Sequence, residues 1–152
     1  MAALLDEEIR EIKAFVELLR QEQSLLAAGG KDDALMPLVE RKTGFTTRLE
    51  ALFARREQVL TAQGQGTGRA GMEAWLAAIP AADRSRARWE ELLAMAAEAR
   101  RLNETNGKLI GIHWQHNQAA LTVLMSAANR AMTYGPDGQQ KTGSGGRSFG
   151  NA

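Results

Sequence analysis

His113 and His116 are the side chains best suited to metal chemistry in this 152-residue sequence. Residues three apart on a helix are neighbours on its surface, so both imidazoles could reach the same ion. However, a zinc site needs three or four ligands, and a di-iron bundle site needs Glu-x-x-His pairs. The sequence contains no cysteine and no Glu-x-x-His segment. We therefore predict no metal site and interpret the imidazoles as hydrogen-bonding groups on a half-buried face.

A glycine-rich segment, GQGTGRAG at residues 64–71, is the second feature that could bind a ligand. Phosphate-binding loops of this kind follow a strand, and the Walker form requires Gly-Lys-Ser/Thr. Both signals are missing, so we predict a flexible linker here. No serine or threonine has a recognisable nucleophile context, and the acidic residues are typical of helix surfaces. We predict that the chain is not an enzyme and uses no cofactor.

The most unusual pattern is a polar stripe within residues 101–124. Its members follow one another at spacings of three and four, which is typical of a helix-packing seam built from Leu or Ile. The stripe consists of Asn103, Asn106, Ile110, His113, Asn117, Ala120 and Leu124. Each polar member would cost about 1–3 kcal/mol if it were buried without a hydrogen-bond partner. A continuous dry core made of these residues is therefore unfavourable.

Two arrangements of the stripe stay open. In the first, it meets polar side chains of the second helix, such as Lys42 and Arg56. In the second, it lies on a wetter part of the last helix and binds a helix of another protein. Recognition of a helix in a groove combines apolar anchors with polar pairs that fix the register. The available anchors are Leu109, Ile110, Leu121, Leu124 and Met125.

The elements that must hold these residues are helices. Apolar residues recur at spacings of three and four along most of the chain, and runs of β-branched residues are scarce. We predict an all-α fold, an extended antiparallel bundle of three long helices with a short extra helix. The predicted helices cover residues 3–28, 33–63, 72–79 and 82–133.

The last predicted helix is longer than the others and should overhang them unless it bends. Gly107 and Gly111 are the predicted bend positions, because glycine inside a helix costs about 1 kcal/mol relative to alanine. Residues 134–152 contain GPDG and then mainly Gly, Ser and Gln, which favours a flexible tail. We therefore divide the chain into a helical domain, 1–133, and a tail, 134–152.

Charge and hydropathy limit the partners. Nineteen basic and eighteen acidic residues give a net charge of +1, which provides no general attraction for nucleic acid. Arg84, Arg86 and Arg88 form a basic cluster, but they point to different faces of a helix. The N-terminus lacks a basic region and a long apolar core, and no stretch reaches the roughly 18 apolar residues of a membrane span. We predict a cytoplasmic protein that neither binds nucleic acid nor inserts into a membrane.

The segments LNETNGKLI and HNQAALTVL, followed by YGPDG in a glycine-rich tail, resemble the FlgN family of flagellar export chaperones. In the helix the resemblance depends on Leu102, Asn103, Asn106, Gly107, Leu109, Ile110 and Asn117, and in the tail on residues 134–138. The first two amphipathic helices also agree with this family in length.

The resemblance implies a small, all-helical, cytoplasmic chaperone of type III export. Such a protein binds the C-terminal helices of hook–filament junction proteins, prevents their premature assembly and delivers them to the export gate. By the same resemblance, Tyr134 is the candidate contact with the export gate protein. The candidate cargo-binding residues are Asn103, Asn106, Leu109, Ile110, His113, Asn117, Leu121 and Leu124. The alternative is a coiled-coil adaptor without export cargo, which forms a homodimer through its last helix.

Overall fold

The computed structural model describes residues 1–29, 32–79 and 83–133, with side chains for 1–29, 34–79 and 84–126. Four helices occupy these residues: α1 (Ala2–Ala27), α2 (Asp32–Ala62), α3 (Gly68–Ala78) and α4 (Asp83–Thr133). No strand is present in the described ranges, and the prediction of an all-helical fold is confirmed. By its internal contacts the chain divides into two units, Met1–Gly111 and Ile112–Ala152. The predicted boundary between 133 and 134 stays a prediction, since the tail lies outside the described residues.

The amphipathic pattern of α1 determines how it packs. Its buried side chains recur at helical spacing, so they form one apolar face. The helix ends where Gly29 takes a positive φ of 73° and donates its N–H to the carbonyl of Leu26 at 3.1 Å. Glycine adopts this left-handed conformation without steric cost, which explains the stop at this point.

The threonine-rich part of α2, residues 42–47, is helical. Pro37 lies in the second turn of Asp32–Ala62, and the helix continues through it although proline removes one intrahelical hydrogen bond. The hydroxyls of Thr43, Thr46 and Thr47 donate to backbone carbonyls four residues earlier, at 3.0–3.1 Å. These bonds satisfy the hydroxyls locally, so the threonines do not interrupt the helix.

The connection between α2 and α3 differs from the predicted flexible linker, because it is a hydrogen-bonded turn. Gly64 has a φ of 71° and donates to the carbonyl of Thr61, and Gln65 donates to the carbonyl of Leu60, both at 3.0 Å. These two bonds form a Schellman motif that closes α2. The Glu57 carboxylate then accepts the N–H of Gly68 at 2.7 Å. This bond satisfies a free donor in the first turn of α3, which begins before the predicted residue 72.

The first unit has a core to which all four helices contribute. Its buried members are Leu5, Ile9, Ile12, Val16, Leu19, Leu60, Met72, Trp75, Leu76, Trp89, Leu92, Ala99 and Leu102. Full burial of one Leu or Ile side chain stabilises a fold by about 1.5–3 kcal/mol. The core therefore provides the main driving force for packing α4, up to Leu102, against the other helices.

Ion pairs between the helices of the first unit define the helix directions. Between α1 and α2 the pairs are Glu7–Arg55, Glu8–Arg56, Glu11–Arg48 and Glu22–Lys42. Residue numbers rise in one helix as they fall in the other, so α1 and α2 are antiparallel. Between α1 and α4 the pairs are Asp6–Arg88, Lys13–Glu91 and Arg20–Glu98. Here the numbers rise together, so α1 and the first part of α4 have the same direction.

One ion pair of the first unit is buried. Arg56 Nε lies 3.0 Å from Glu8 Oε1, and only 6% of each side chain is exposed. The Arg56 guanidinium also lies 5.0 Å from the ring centroid of Trp89, at a distance typical of a cation–π contact. Burial raises the pKa of Glu8 above its ordinary 4.5, although Arg56 opposes the shift. The carboxyl and the guanidinium therefore depend on each other inside the core.

Candidate partner-binding site on the last helix

Asn106 of the polar stripe is an interior residue of the first unit. It is fully buried, and its Nδ2 donates to the carbonyl of Leu19 at 2.9 Å and to Glu22 Oε2 at 2.7 Å. Glu22 is itself buried and accepts a bond from Lys42 Nζ at 3.0 Å. Asn106 thus connects α4 to α1, and through Glu22 to α2. A cargo helix cannot contact it at the surface of this structure.

This cluster corresponds to the first of the two arrangements left open by the sequence, although for one residue of the stripe only. Lys42 takes part through Glu22, whereas Arg56 pairs with Glu8 at a different level of the core. Asn106 Oδ1 is buried without a hydrogen-bond partner among the described residues. The amide is therefore held by its two donor bonds alone.

The other candidate residues of the first unit are accessible to different extents. Asn103 is exposed, Leu109 is half-buried, and 48% of Ile110 is exposed. Only one turn separates the exposed Asn103 from the buried Asn106. The polar stripe is therefore not a single continuous surface.

The second unit contains the remaining four candidates in the described part of α4. His113 is half-buried, whereas Asn117, Leu121 and Leu124 are exposed. Of the two leucines, Leu124 is the more exposed, at 66% of its surface. Tyr134, the proposed gate contact, lies outside the described residues. The structure thus presents three of these candidates at the surface.

Two further residues belong to the same side of α4: Met125, which is one of the predicted apolar anchors, and Trp114, which was not among the candidate cargo-binding residues. Trp114 and Met125 are 64% and 59% exposed. With about 100° of rotation per residue, Trp114, Leu121 and Met125 lie within an arc of about 40°, and Asn117 and Leu124 lie beside them. We call these five residues the apolar face. Spacings of seven and four from Trp114 through Leu121 to Met125 are a second seam signal, which the sequence contained next to the polar stripe.

Single exposed apolar residues are ordinary, but a contiguous group of them marks an interaction surface. The apolar face covers an arc of about 100°, the width of the stripe by which a helix packs against a neighbour. Ile112 and Val123 are also exposed, on the opposite side of α4. The second unit therefore presents an apolar helix side that no described residue covers.

The electrostatics of this region are as unusual as its exposure. Residues 109–129 contain no Asp, Glu, Lys or Arg, whereas residues 83–108 contain eleven. The polar side-chain groups of the uncharged segment are amides, hydroxyls, the two imidazoles and the indole N–H of Trp114. A partner on the apolar face would meet apolar surface and neutral hydrogen-bonding groups.

Other features of the described residues are weaker candidates for a binding site than the apolar face. The described residues contain no group of three or more His, Cys, Asp or Glu that could hold a metal ion. None of the described helices is both long enough and apolar enough to cross a membrane. A shallow open groove on α2 is lined by Glu40, Arg41, Gly44, Phe45 and Arg48. The apolar face is therefore the strongest candidate site in the described part of the chain.

These observations define a class, that of small all-helical proteins whose last helix carries an uncharged, exposed apolar face. Comparison with known proteins identifies the family. The family model described as "FlgN protein" matches residues 1–142. The chain belongs to the FlgN family.

Two similar relatives share the name "Flagella synthesis protein FlgN". One is from Yersinia enterocolitica serotype O:8 / biotype 1B (strain NCTC 13174 / 8081), and the other is from Yersinia enterocolitica. Each is 30% identical over 138 residues, which cover 90% of this chain and 86% of the relative. No solved structure matches the chain.

Proposed function

We propose that this chain is a flagellar export chaperone that binds the C-terminal helices of hook–filament junction proteins, prevents their premature assembly and delivers them to the export gate. The exposed apolar face of α4 is the observation on which the proposal depends most. Family membership and the relatives' name, which refers to flagella synthesis, support the flagellar role. The chaperone binds its cargo without catalysis.

The composition of the apolar face suits a transient partner. Trp114 is a large aromatic anchor of the kind that dominates binding energy when a partner covers it. Leu121, Leu124 and Met125 extend the contact along the helix, and Asn117 places one amide among them. A mixture of apolar and polar groups is typical of complexes that must dissociate again. Cargo helices evolved for assembly would be shielded on this face and then released.

The remaining expectations from the sequence form part of the same proposal. The protein acts in the cytoplasm, where its cargo is synthesised, and Tyr134 contacts the export gate protein. The long helices α1 and α2 and the first part of α4 form an antiparallel bundle, in which α3 is the short extra helix. Among the predicted cargo contacts, the proposal gives most weight to Asn117, Leu121 and Leu124, and it adds Trp114 and Met125.

Titration calorimetry tests the proposal directly. The full chain would be titrated with the C-terminal helical region of the hook–filament junction protein from its own organism. We expect 1:1 binding that Trp114→Ala/Leu121→Ala weakens by about tenfold or more, equivalent to about 1.4 kcal/mol. The matched control is Met36→Ala/Val39→Ala, which removes two exposed apolar side chains from α2. This control should bind like the unchanged protein.

Different results would point elsewhere. Equal weakening by both double variants would assign the effect to general loss of apolar surface. Absence of binding by the unchanged chain would contradict the chaperone function. If that chain also sedimented as a stable homodimer that Trp114→Ala/Leu121→Ala dissociates, the coiled-coil adaptor would replace the chaperone as the better explanation.

A further inference from the structure

The charge distribution along α4 changes abruptly near Lys108. Up to and including Lys108, α4 carries eleven charged residues, and its ion pairs with α1 connect Asp6 to Arg88 and Arg20 to Glu98 at 2.7 Å. Residues 109–129 carry none. The first part of α4 therefore packs against α1 partly through ion pairs, whereas residues 109–129 present an uncharged surface.

We propose that the helix seated on the apolar face contacts it through an uncharged side, with amide or hydroxyl groups placed among its apolar residues. This inference rests on the proposed function and specifies the chemistry of the cargo segment. The apolar face consists of Trp114, Asn117, Leu121, Leu124 and Met125, all of them exposed.

A charged cargo helix would bind this face poorly. A Lys or Glu pressed against Leu121 and Leu124 would lose its hydration, and residues 109–129 contain no Asp, Glu, Lys or Arg to pair with it. Burying an unpaired charge is strongly unfavourable, so the uncharged segment rejects such partners. Rejection of wrong partners contributes to specificity as much as attraction of the right one.

A purely apolar cargo helix would also fit poorly. Asn117 lies between Trp114 and Leu121 on the helix surface, three residues after one and four before the other. Its amide has two N–H donors and a carbonyl acceptor, which lose water when a partner covers the face. A neutral side chain that both donates and accepts, such as another amide, satisfies this group without introducing charge. A cargo helix with Asn, Gln, Ser or Thr opposite Asn117 therefore fits best.

Substitutions of opposite sign at one position test this chemistry. The full chain and its Asn117→Asp and Asn117→Lys variants would be titrated with the C-terminal helical region of the junction protein. We expect both variants to bind about tenfold more weakly or worse, because each introduces a charge that an uncharged partner cannot neutralise. Gln21→Glu and Gln21→Lys are matched controls at an exposed position of α1, and neither should change the affinity.

The sign of the effect decides the outcome. If one charge weakens binding and the other leaves it unchanged or strengthens it, the partner carries a complementary charge and the inference is wrong, although the chaperone function stands. If neither variant affects binding, the partner does not seat on this face and the inference is also wrong. Failure of the unchanged chain to bind the cargo region would instead contradict the proposed function itself. If the chain did not bind the cargo region but sedimented with phosphatidylcholine vesicles, the apolar face would bind a lipid surface. That result would contradict both the inference and the proposed function.

Salt provides a second readout. Exposed ion pairs weaken as ionic strength rises, because the screening length falls from about 10 Å at 0.1 M to about 3 Å at 1 M. We expect the dissociation constant to change by less than about threefold between about 50 mM and about 500 mM NaCl. A tenfold or greater weakening over this range would show that charge pairs contribute to binding and would overturn the inference.

Discussion

Asn103 and Asn106 are one turn apart on α4 and have opposite environments. Asn103 is exposed, whereas Asn106 is buried against the last turns of α1, where it donates to Leu19 and Glu22. The carbonyl of Leu19 and the carboxylate of Glu22 lie within hydrogen-bond distance of Asn106 and accept its two N–H groups. The same residue type therefore supports packing at one position and faces solvent at the other.

This difference leads to a prediction about stability. Asn106→Ala removes both hydrogen bonds and leaves Glu22 with one fewer donor in a buried site. We expect the free energy of unfolding to fall by about 1–3 kcal/mol. Asn103→Ala, the matched control on the same helix, should change it by less than about 0.5 kcal/mol. Urea denaturation followed by circular dichroism measures both, and equal effects would contradict the interior role of Asn106.

The contribution of the buried Glu8–Arg56 pair to stability depends on pH. Burial raises the folded pKa of Glu8 above 4.5, so folding favours its protonated form. The contribution of Glu8 to stability is therefore fully present below the unfolded pKa and is lost as the pH rises through the folded pKa. Arg56 limits this loss, because its positive charge stabilises the carboxylate.

Removing either partner should then give different pH profiles. Arg56→Met leaves a buried carboxylate and should cost about 3–5 kcal/mol near pH 7, but much less near pH 4, where Glu8 binds a proton. Glu8→Gln leaves a guanidinium that cannot lose its charge and removes the carboxyl that titrates, so its cost should be no smaller near pH 4 than near pH 7. Urea denaturation at the two pH values provides the measurement. A cost of Arg56→Met that does not depend on pH would contradict this account.

At the scale of the elements, the glycines differ in whether the structure requires them. A Cβ added at Gly71 would lie 1.9 Å from the carbonyl oxygen of Gly66, so the close approach of α3 to the preceding turn excludes any side chain. At Gly107 and Gly111, both inside α4, a Cβ would meet nothing within 4 Å. These two glycines lower the helical propensity of α4 without serving its packing.

Alanine at the two α4 positions should therefore stabilise the helix. We expect Gly107→Ala and Gly111→Ala each to slow amide exchange in the surrounding turns, and to add up to about 1 kcal/mol of local stability. Hydrogen exchange of residues 104–115 measures the effect. Faster exchange in either variant would indicate that a contact of the glycine backbone has been missed.

Alanine at Gly71 should have the opposite effect. The new methyl group would force α3 away from Gly66 and disturb the packing of Met72, which is fully buried. Overpacking of this kind typically costs about 1–3 kcal/mol. Thermal denaturation of Gly71→Ala, compared with Gly107→Ala, checks the difference. A Gly71→Ala variant as stable as the unchanged chain would show that the turn can relax.

Sequence periodicity is sufficient to predict the helices but not the environment of each residue. The spacings of three and four placed Asn106 and Asn117 on one stripe, and both do lie on α4. Burial depends on which helix lies alongside: α1 supplies the acceptors Leu19 and Glu22 for Asn106, whereas Asn117 is exposed. The pattern also did not predict Glu22 as the acceptor. A buried carboxylate at this position depends on the positive charge of Lys42, which lies on a different helix.

At the scale of the whole molecule, the core and the candidate site belong to different units. The buried core lies within Met1–Gly111, and the apolar face lies within Ile112–Ala152. In described residues 112–126 every side chain except His113 is exposed. Stability and partner binding should therefore depend on separate groups of residues, which a chaperone needs if it is to release cargo without unfolding.

Hydrogen exchange tests this separation in one experiment. Where few buried contacts hold a segment, its amides exchange through local opening at a low free energy. In the core, the free energy of opening approaches that of global unfolding. We expect amides of residues 112–126 to exchange at least about tenfold faster than those of residues 92–106. Addition of the cargo region should slow exchange in 112–126 and leave 92–106 unchanged. The Trp114→Ala/Leu121→Ala variant should lose this protection but keep the slow exchange of 92–106. If cargo instead protected 92–106, its binding would be coupled to the core, and the apolar face could not be a surface that acts separately from the bundle.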